Sequence, residues 1–285
     1  MSLSGKAKLA GIIGWPVTHS LSPVLHGHWL AEYQIDGAMV PLAARAEDFS
    51  AIIDGARRAG FKGVNVTVPH KESAFAIAHH LDQAALSAGA ANLLIFHEGR
   101  IEARNTDSLG LAESLRENIC ALNGGSAVLL GAGGAARGAI AALDMLGAGK
   151  IHLLNRDSRR AANLAASLKS QVKAAIEPGA LEDWNAVAGG AALLVNSTSA
   201  GMGANPPLDI DLSLLPASAP VCDIVYNPLE TKLLKDAKRH GHKTIDGLGM
   251  LMHQAVPSFE AFFGLRPQVT PALRHALVQV LSARG

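Results

Sequence analysis

The chain has 285 residues, 49% of them apolar and 17% charged, with a formal net charge of +1. A chain of this length exceeds one average domain and can bury two modest cores, and so apolar a composition excludes a disordered protein. The near-neutral charge, with Lys and Arg scattered rather than gathered in a stripe, gives no electrostatic footing for nucleic acid.

Cys120 and Cys222 stand far apart in apolar or helical surroundings and match no zinc spacing. Both read as buried reduced thiols, and no metal is expected. The opening MSLSGKAKLAGIIGWPV has too short an apolar stretch before Trp15-Pro16 for a signal peptide, and no apolar run reaches the roughly 18 residues of a spanning helix. A cytoplasmic protein without a membrane partner is expected.

KLAGIIG (8–14) and GAMVPL (37–42) predict strands, while PVLHGHWLAEYQI (23–35) and AEDFSAIIDGARRAG (46–60) predict helices, the second closed by its glycine. NVTV (65–68) predicts a half-buried strand with Val66 and Val68 on one face and Asn65 and Thr67 on the other. It stops at Pro69, so Asn65, Thr67 and Lys71 are expected to gather at one strand end, as a solvated face or as pocket walls. A helix over 70–80 and strands near 91–96 and 99–104 follow. The alternation predicts a mostly parallel, helix-covered sheet.

After Asn105-Thr106-Asp107, a helix over 109–119 leads into a second alternating series. It comprises the strand, glycine loop and helix of 126–148, strands at 150–155, 192–196 and 219–225, and a helix at 231–241. This predicts a second doubly wound sheet. The apolar, helical tail from Asp246 is expected to pack on the first domain. The expected division is 1–107 plus 247–285 against 108–246, with a helix-borne hinge near 107–108.

SAVLLGAGGAARG (126–138) sets Gly131, Gly133 and Ala136 in a G-x-G-x-x-A pattern between an apolar strand and an Ala-rich helix. In such a loop the first glycine turns the chain, the second lets the backbone approach a pyrophosphate, and the small third residue lets helix and strand pack. The next strand ends in Asn155-Arg156, not in the Asp or Glu that binds a ribose 2′-hydroxyl, and Arg159 and Arg160 follow one turn later. A guanidinium matches a 2′-phosphate, so NRDSRR reads as NADP. Asp157 reads the other way, toward a bare ribose, and solvated helix arginines are the plain alternative. In HSLSP (19–23), Ser22-Pro23 reads as N-cap and first turn, with Ser20 just outside; two hydroxyls before a helix N-terminus suit a carboxylate.

HSLSP (19–23), NVTVPHK (65–71), GAANLL (89–94), NTD (105–107), GAGGAAR (131–137), NR (155–156), NSTSAGM (196–202) and DGLGMLMHQA (246–255), in this order, resemble the motifs of the shikimate dehydrogenase family, which includes quinate/shikimate dehydrogenases. The resemblance spans essentially the whole chain. It implies two doubly wound α/β domains, the first binding substrate and the second a Rossmann-type NADP-binding domain, with a cleft between them. It implies the NADP-dependent, reversible reduction of 3-dehydroshikimate to shikimate in aromatic amino-acid biosynthesis.

The resemblance also implies roles. Lys71 and Asp107 would be the catalytic pair, since hydride transfer to a ketone leaves an alkoxide that needs a proton or a positive charge. Ser20 and Ser22 would hold the substrate carboxylate, Asn65, Thr67, Asn92 and Gln254 would bind the substrate, and Tyr226 would close the cleft. Gly131, Ala132, Gly133, Gly134, Ala135, Asn155, Arg156, Arg160, Ser197 and Thr198 would bind NADP, with Gly247 and Met250 near the nicotinamide. On the residues alone, Asn92 reads equally as a turn residue and Tyr226 as a packed tyrosine. His26, His28, His70, His79, His80 and His253 form no metal spacing and read as surface or core residues.

Leu93, Arg104 and Ala136 depart from the family pattern. Arg104, beside NTD, is expected either to deepen the acidity of Asp107 or to admit a more oxygenated or more anionic ligand, which leaves the substrate less defined than the reaction class. Three functions stand on the sequence: an NADP-dependent shikimate dehydrogenase, a quinate/shikimate dehydrogenase using NAD or NADP, and a non-catalytic NADP sensor. Intact Lys71 and Asp107 argue against the last. Assembly is expected to be monomeric or homodimeric.

Overall fold

The computed structural model describes residues 3–119, 121–203 and 205–283, so Cys120 lies outside the described residues. The chain divides into two compact units, Met1–Thr106 with Gln254–Gly285, and Asp107–His253.

The first unit contains β1 (Lys8–Gly14), α1 (Ser22–Glu32), β2 (Gly37–Ala43), α2 (Phe49–Arg58), β3 (Gly63–Val66), α3 (Lys71–Ala76), β4 (His80–Leu81), α4 (Gln83–Ala88), β5 (Leu93–His97) and β6 (Arg100–Arg104). Its sheet runs β2-β1-β3-β5-β6-β4. The parallel arrangement expected from the alternation holds around β1 and between β4 and β6, but β5 is antiparallel to both β3 and β6. Glu98-Gly99 is the whole connection between β5 and β6, too short for the crossover that a parallel pair needs. The NVTV strand is also shorter than expected. It ends at Val66, which is 3% exposed, whereas Val68 is 71% exposed. Pro69 has no N–H for a ladder, and the chain turns there, the His70 N–H donating to the Thr67 carbonyl at 3.0 Å.

The second unit contains α5 (Asp107–Arg116), β7 (Ser126–Leu130), α6 (Gly134–Met145), β8 (Lys150–Asn155), α7 (Ser158–Leu168), β9 (Ala175–Ala180), α8 (Trp184–Val187), β10 (Ala191–Asn196), β11 (Val221–Asp223), α9 (Lys232–Arg239), β12 (Thr244–Ile245) and the start of α10 (Gly247–Phe263). All its strand pairs are parallel, in the order β12-β11-β10-β7-β8-β9. Successive β7 residues serve opposite faces. Ala127 and Leu129 join Ala136, Ile140 and Leu143 in one core, and Val128 and Leu130 join Trp184, Leu233 and Leu234 in the other. Two buried faces are why this strand reads as a continuous apolar run. The chain leaves β7 first toward β8 and later returns to β10 on its other side. The carboxyl ends of β7 and β10 therefore flank the switch point where open α/β sheets bind ligands.

From Gln254 onward, α10 and α11 (Pro271–Ser282) belong to the first unit. Phe259, Phe262 and Phe263 surround His26, Phe259 also packs edge-on against Trp29, and the Trp29 indole donates to the Gln268 carbonyl at 2.9 Å. Among the described residues no helix is long and apolar enough to cross a membrane, and no group of three or more His, Cys, Asp or Glu could hold a metal. Cys222 is a buried free thiol.

Candidate functional site

In the first unit the candidate residues lie just beyond β1 and β3. Gly14 ends β1, and a Cβ there would lie 2.4 Å from the Thr67 methyl, so glycine lets the turn after β3 approach. Asn65 is the last residue but one of β3. Its Nδ2 lies 3.5 Å from Nε2 of His26, and its Oδ1 is buried with no hydrogen-bond partner. Burial holds the His26 pKa down at about 3, so this imidazole is neutral and can accept from the amide. Lys71 opens α3 directly after the turn, behind the buried His70, whose Nε2 bonds the Ala44 carbonyl at 2.8 Å.

Ser22 is not the N-cap. The helix starts at Ser22 with Leu21 in the cap position, because the Ser20 hydroxyl accepts the Ser22 N–H at 3.2 Å and turns the chain one residue early. Ser20 thus has a local structural role in this turn.

Asn92 is buried and its amide is held by Thr106. Asn92 Nδ2 donates to Thr106 Oγ1 at 3.0 Å, and the Thr106 N–H donates to Asn92 Oδ1 at 2.9 Å. The Thr106 hydroxyl reaches the Gln254 carbonyl at 2.9 Å, so one threonine gathers two candidate residues. In the sequence, the signal for Thr106 is its place between Asn105 and Asp107 in NTD. Arg104 pairs with Glu102 on its own strand at 2.5 Å, so its guanidinium is engaged by the β5–β6 hairpin. Leu93 and Ala136 are both wholly buried, apolar core positions.

In the second unit, Gly131 follows β7 at φ +103°, a conformation open to glycine. Gly133 and Gly134 are exposed, and a Cβ on either would meet no atom within 4 Å. Gly133 occupies the N-cap of α6, so the N–H groups of Gly134 and Ala135 head that helix, with Ala132 between the glycines. Buried Ala136 seats the helix on the sheet. Asp107, the first residue of α5, is buried where α5 meets α6: a Cβ on Gly138 would lie 3.4 Å from that of Asp107.

Asn155 closes β8 and donates to the Asp157 carbonyl at 3.0 Å. The Asp157 carboxylate accepts the Arg159 N–H at 3.0 Å as the N-cap of α7 and also pairs with the Arg159 side chain at 3.4 Å. Arg156 and Arg160 are exposed, and among the described residues no carboxylate pairs with either. Ser197 and Thr198 follow β10 beside Gly131. Gly247 opens α10 where a Cβ would lie 2.1 Å from the Ile224 carbonyl, and Met250 packs against the core one turn later. Tyr226 is half-buried after β11.

These donors fit a phosphorylated dinucleotide. The loop presents backbone N–H groups to a pyrophosphate, the guanidinium groups of Arg156 after β8 and Arg160 in the first turn of α7 have no carboxylate partner among the described residues, and the Asp157 carboxylate caps a helix.

Residues 12–94 match the family described as "Shikimate dehydrogenase substrate binding domain", and residues 111–202 match "Shikimate / quinate 5-dehydrogenase". A shikimate dehydrogenase (NADP(+)) of Paramagnetospirillum magneticum is 50% identical over 279 residues, covering 95% of this chain and 98% of its own. One of Rhodospirillum rubrum is 48% identical, covering 97% and 99%. A solved shikimate dehydrogenase in complex with NADP+ superposes with a TM-score of 0.89 at 31% identity, covering 98% of each chain. By this full-length identity and shared fold, the chain belongs to the shikimate dehydrogenase family.

Proposed function

We propose that this protein catalyses the reversible, NADP-dependent reduction of 3-dehydroshikimate to shikimate in aromatic amino-acid biosynthesis. The observation that carries the coenzyme choice is the division of labour after β8: Asp157 is occupied as the α7 N-cap, while Arg156 and Arg160 are unpaired. A carboxylate so occupied is a poor ribose ligand, and a guanidinium fork suits a 2′-phosphate. The first unit is the substrate domain and the second the dinucleotide domain.

NADPH supplies the hydride in the reduction and NADP+ takes it in the reverse direction. A lysine ammonium at Lys71 stabilises and protonates the alkoxide oxygen that hydride transfer creates. The Asp107 carboxylate accepts from a ring hydroxyl and shares in the proton relay. Asn65 Oδ1, buried without a protein partner, accepts a second ring hydroxyl, and Thr67 and Asn92 take further ones. Ser20 and Ser22, at the N-terminus of an 11-residue helix, bind the carboxylate with help from the helix dipole. Gln254 hydrogen-bonds the substrate from α10, and Gly247 and Met250 would serve the nicotinamide end of the coenzyme. The proposal includes a cytoplasmic location and assembly as a monomer or homodimer.

Steady-state oxidation of shikimate and of quinate, each with NADP+ and NAD+, tests the assignment. The shikimate and NADP+ pair should give the highest kcat/KM. No turnover of shikimate with either coenzyme would sink the reaction, and a preference for NAD+ would sink the coenzyme reading.

A further inference from the structure

One buried carboxylate of the second unit has no part in the chemistry above. Asp223 ends β11, is fully buried, and accepts three hydrogen bonds: from Asn196 Nδ2 at 2.9 Å, Thr231 Oγ1 at 2.7 Å and the Val225 N–H at 3.1 Å. Burial pushes its carboxyl above the ordinary range, and the three donors act against that shift. A carboxylate is an acceptor, so it dictates the orientation of whatever it touches.

Asn196 must turn its amide nitrogen toward Asp223, which leaves Oδ1 on the far side. There Oδ1 accepts both the Thr198 N–H at 3.0 Å and the Thr198 hydroxyl at 2.7 Å. With its proton committed, the Thr198 hydroxyl accepts the Ala200 N–H at 3.1 Å. A flipped Asn196 would set its NH2 against the Thr198 N–H, donor against donor. Each link of the relay therefore admits one orientation.

The turn so held bears directly on the glycine loop. Ser197 Oγ donates to the Leu130 carbonyl at 2.7 Å, and a Cβ on Gly131 would lie 2.9 Å from the Thr198 methyl and 3.0 Å from Ser197 Oγ. A small rotation of the turn would move Gly131 or open a gap beside it.

We infer that Asp223 is a positioning residue for the coenzyme site, holding the Ser197–Ala200 turn against the glycine loop through Asn196 and Thr198. The inference rests on the NADP reading of that loop. In sequence its signal is a lone carboxylate inside the apolar run APVCDIV, which must find buried donors if the strand is central.

The test is direct binding of NADP+ and NAD+, with KM for shikimate measured alongside, on wild type, Asp223→Asn, Thr198→Val and the double variant. Asp223→Asn keeps the volume but places an NH2 group among donors. It should weaken NADP+ binding about tenfold, the worth of one good hydrogen bond, with the shikimate KM within about twofold. Thr198→Val should do the same, and the double variant should add no more than about twofold to the larger single effect. Should Asp223→Asn not fold, Asn196→Ala interrupts the same relay and should show the same loss. A lower melting temperature with unchanged NADP+ affinity, or fully multiplicative single effects, would make Asp223 a purely structural anchor. Wild type that binds NAD+ but not NADP+ would overturn only the coenzyme reading, since the same variants then test the relay with NAD+.

Discussion

Lowering the pH from about 7 to about 5 should remove about 2 kcal/mol from the stability of the first unit through one side chain, His26. Its imidazole is fully buried among Trp29, Phe259, Phe262 and Phe263, and burial lowers its pKa from 6.5 to about 3. Between those values the unfolded chain binds a proton that the folded chain refuses. Stability is therefore complete above the unfolded pKa and declines as pH falls through it toward the folded value, at about 1.4 kcal/mol per pH unit. The pH interval chosen takes in about one and a half such units. His26→Phe replaces the ring with one that matches its aromatic neighbours and cannot titrate. Thermal melts of both proteins at the two pH values cancel all other titrations in the difference. Wild type should lose roughly 4–8 °C more than the variant, at about 2–4 °C per kcal/mol for a chain of this size. Parallel dependence of melting temperature on pH would refute the reasoning, because it would mean that His26 keeps its proton exchange with solvent when folded.

Lys71→Ala and Asp107→Ala should each lower kcat by about 10²–10⁴ with the fold intact by circular dichroism; near wild-type turnover in either would remove that residue from the chemistry. Ser20→Ala should raise the shikimate KM about tenfold and leave that for NADP+ unmoved. A fall in melting temperature without a change in KM would confine Ser20 to its turn with Ser22. We expect wild type to favour NADP+ over NAD+ by about ten- to a hundredfold in kcat/KM, and Arg156→Ala to erase most of this by weakening NADP+ alone. A variant that keeps its discrimination would shift the choice of coenzyme to Asp157.

The elements that the sequence determined by itself are those whose side-chain period and punctuation are local. KLAGIIG is β1 residue for residue, KIHLLN is likewise β8, and the glycines after SAVLL mark a turn into α6 because only a residue without Cβ adopts φ +103° freely there. The tertiary structure decided what depends on a partner distant in sequence. The two-residue strands β4 and β12 exist only because β6 and β11 offer them ladders. β9 carries Pro178, which argues against a central strand, and AIEPGA becomes a strand at the sheet edge only because β8 offers it a ladder. Asp157 reads as a ribose ligand until the α7 N-terminus engages its Oδ1. Likewise His26 and Asp223 reveal their roles only once their surroundings exclude water. A side chain's type is written in the chain, but its solvation and its hydrogen-bond partners are set by residues that folding brings to it, and those set its chemistry.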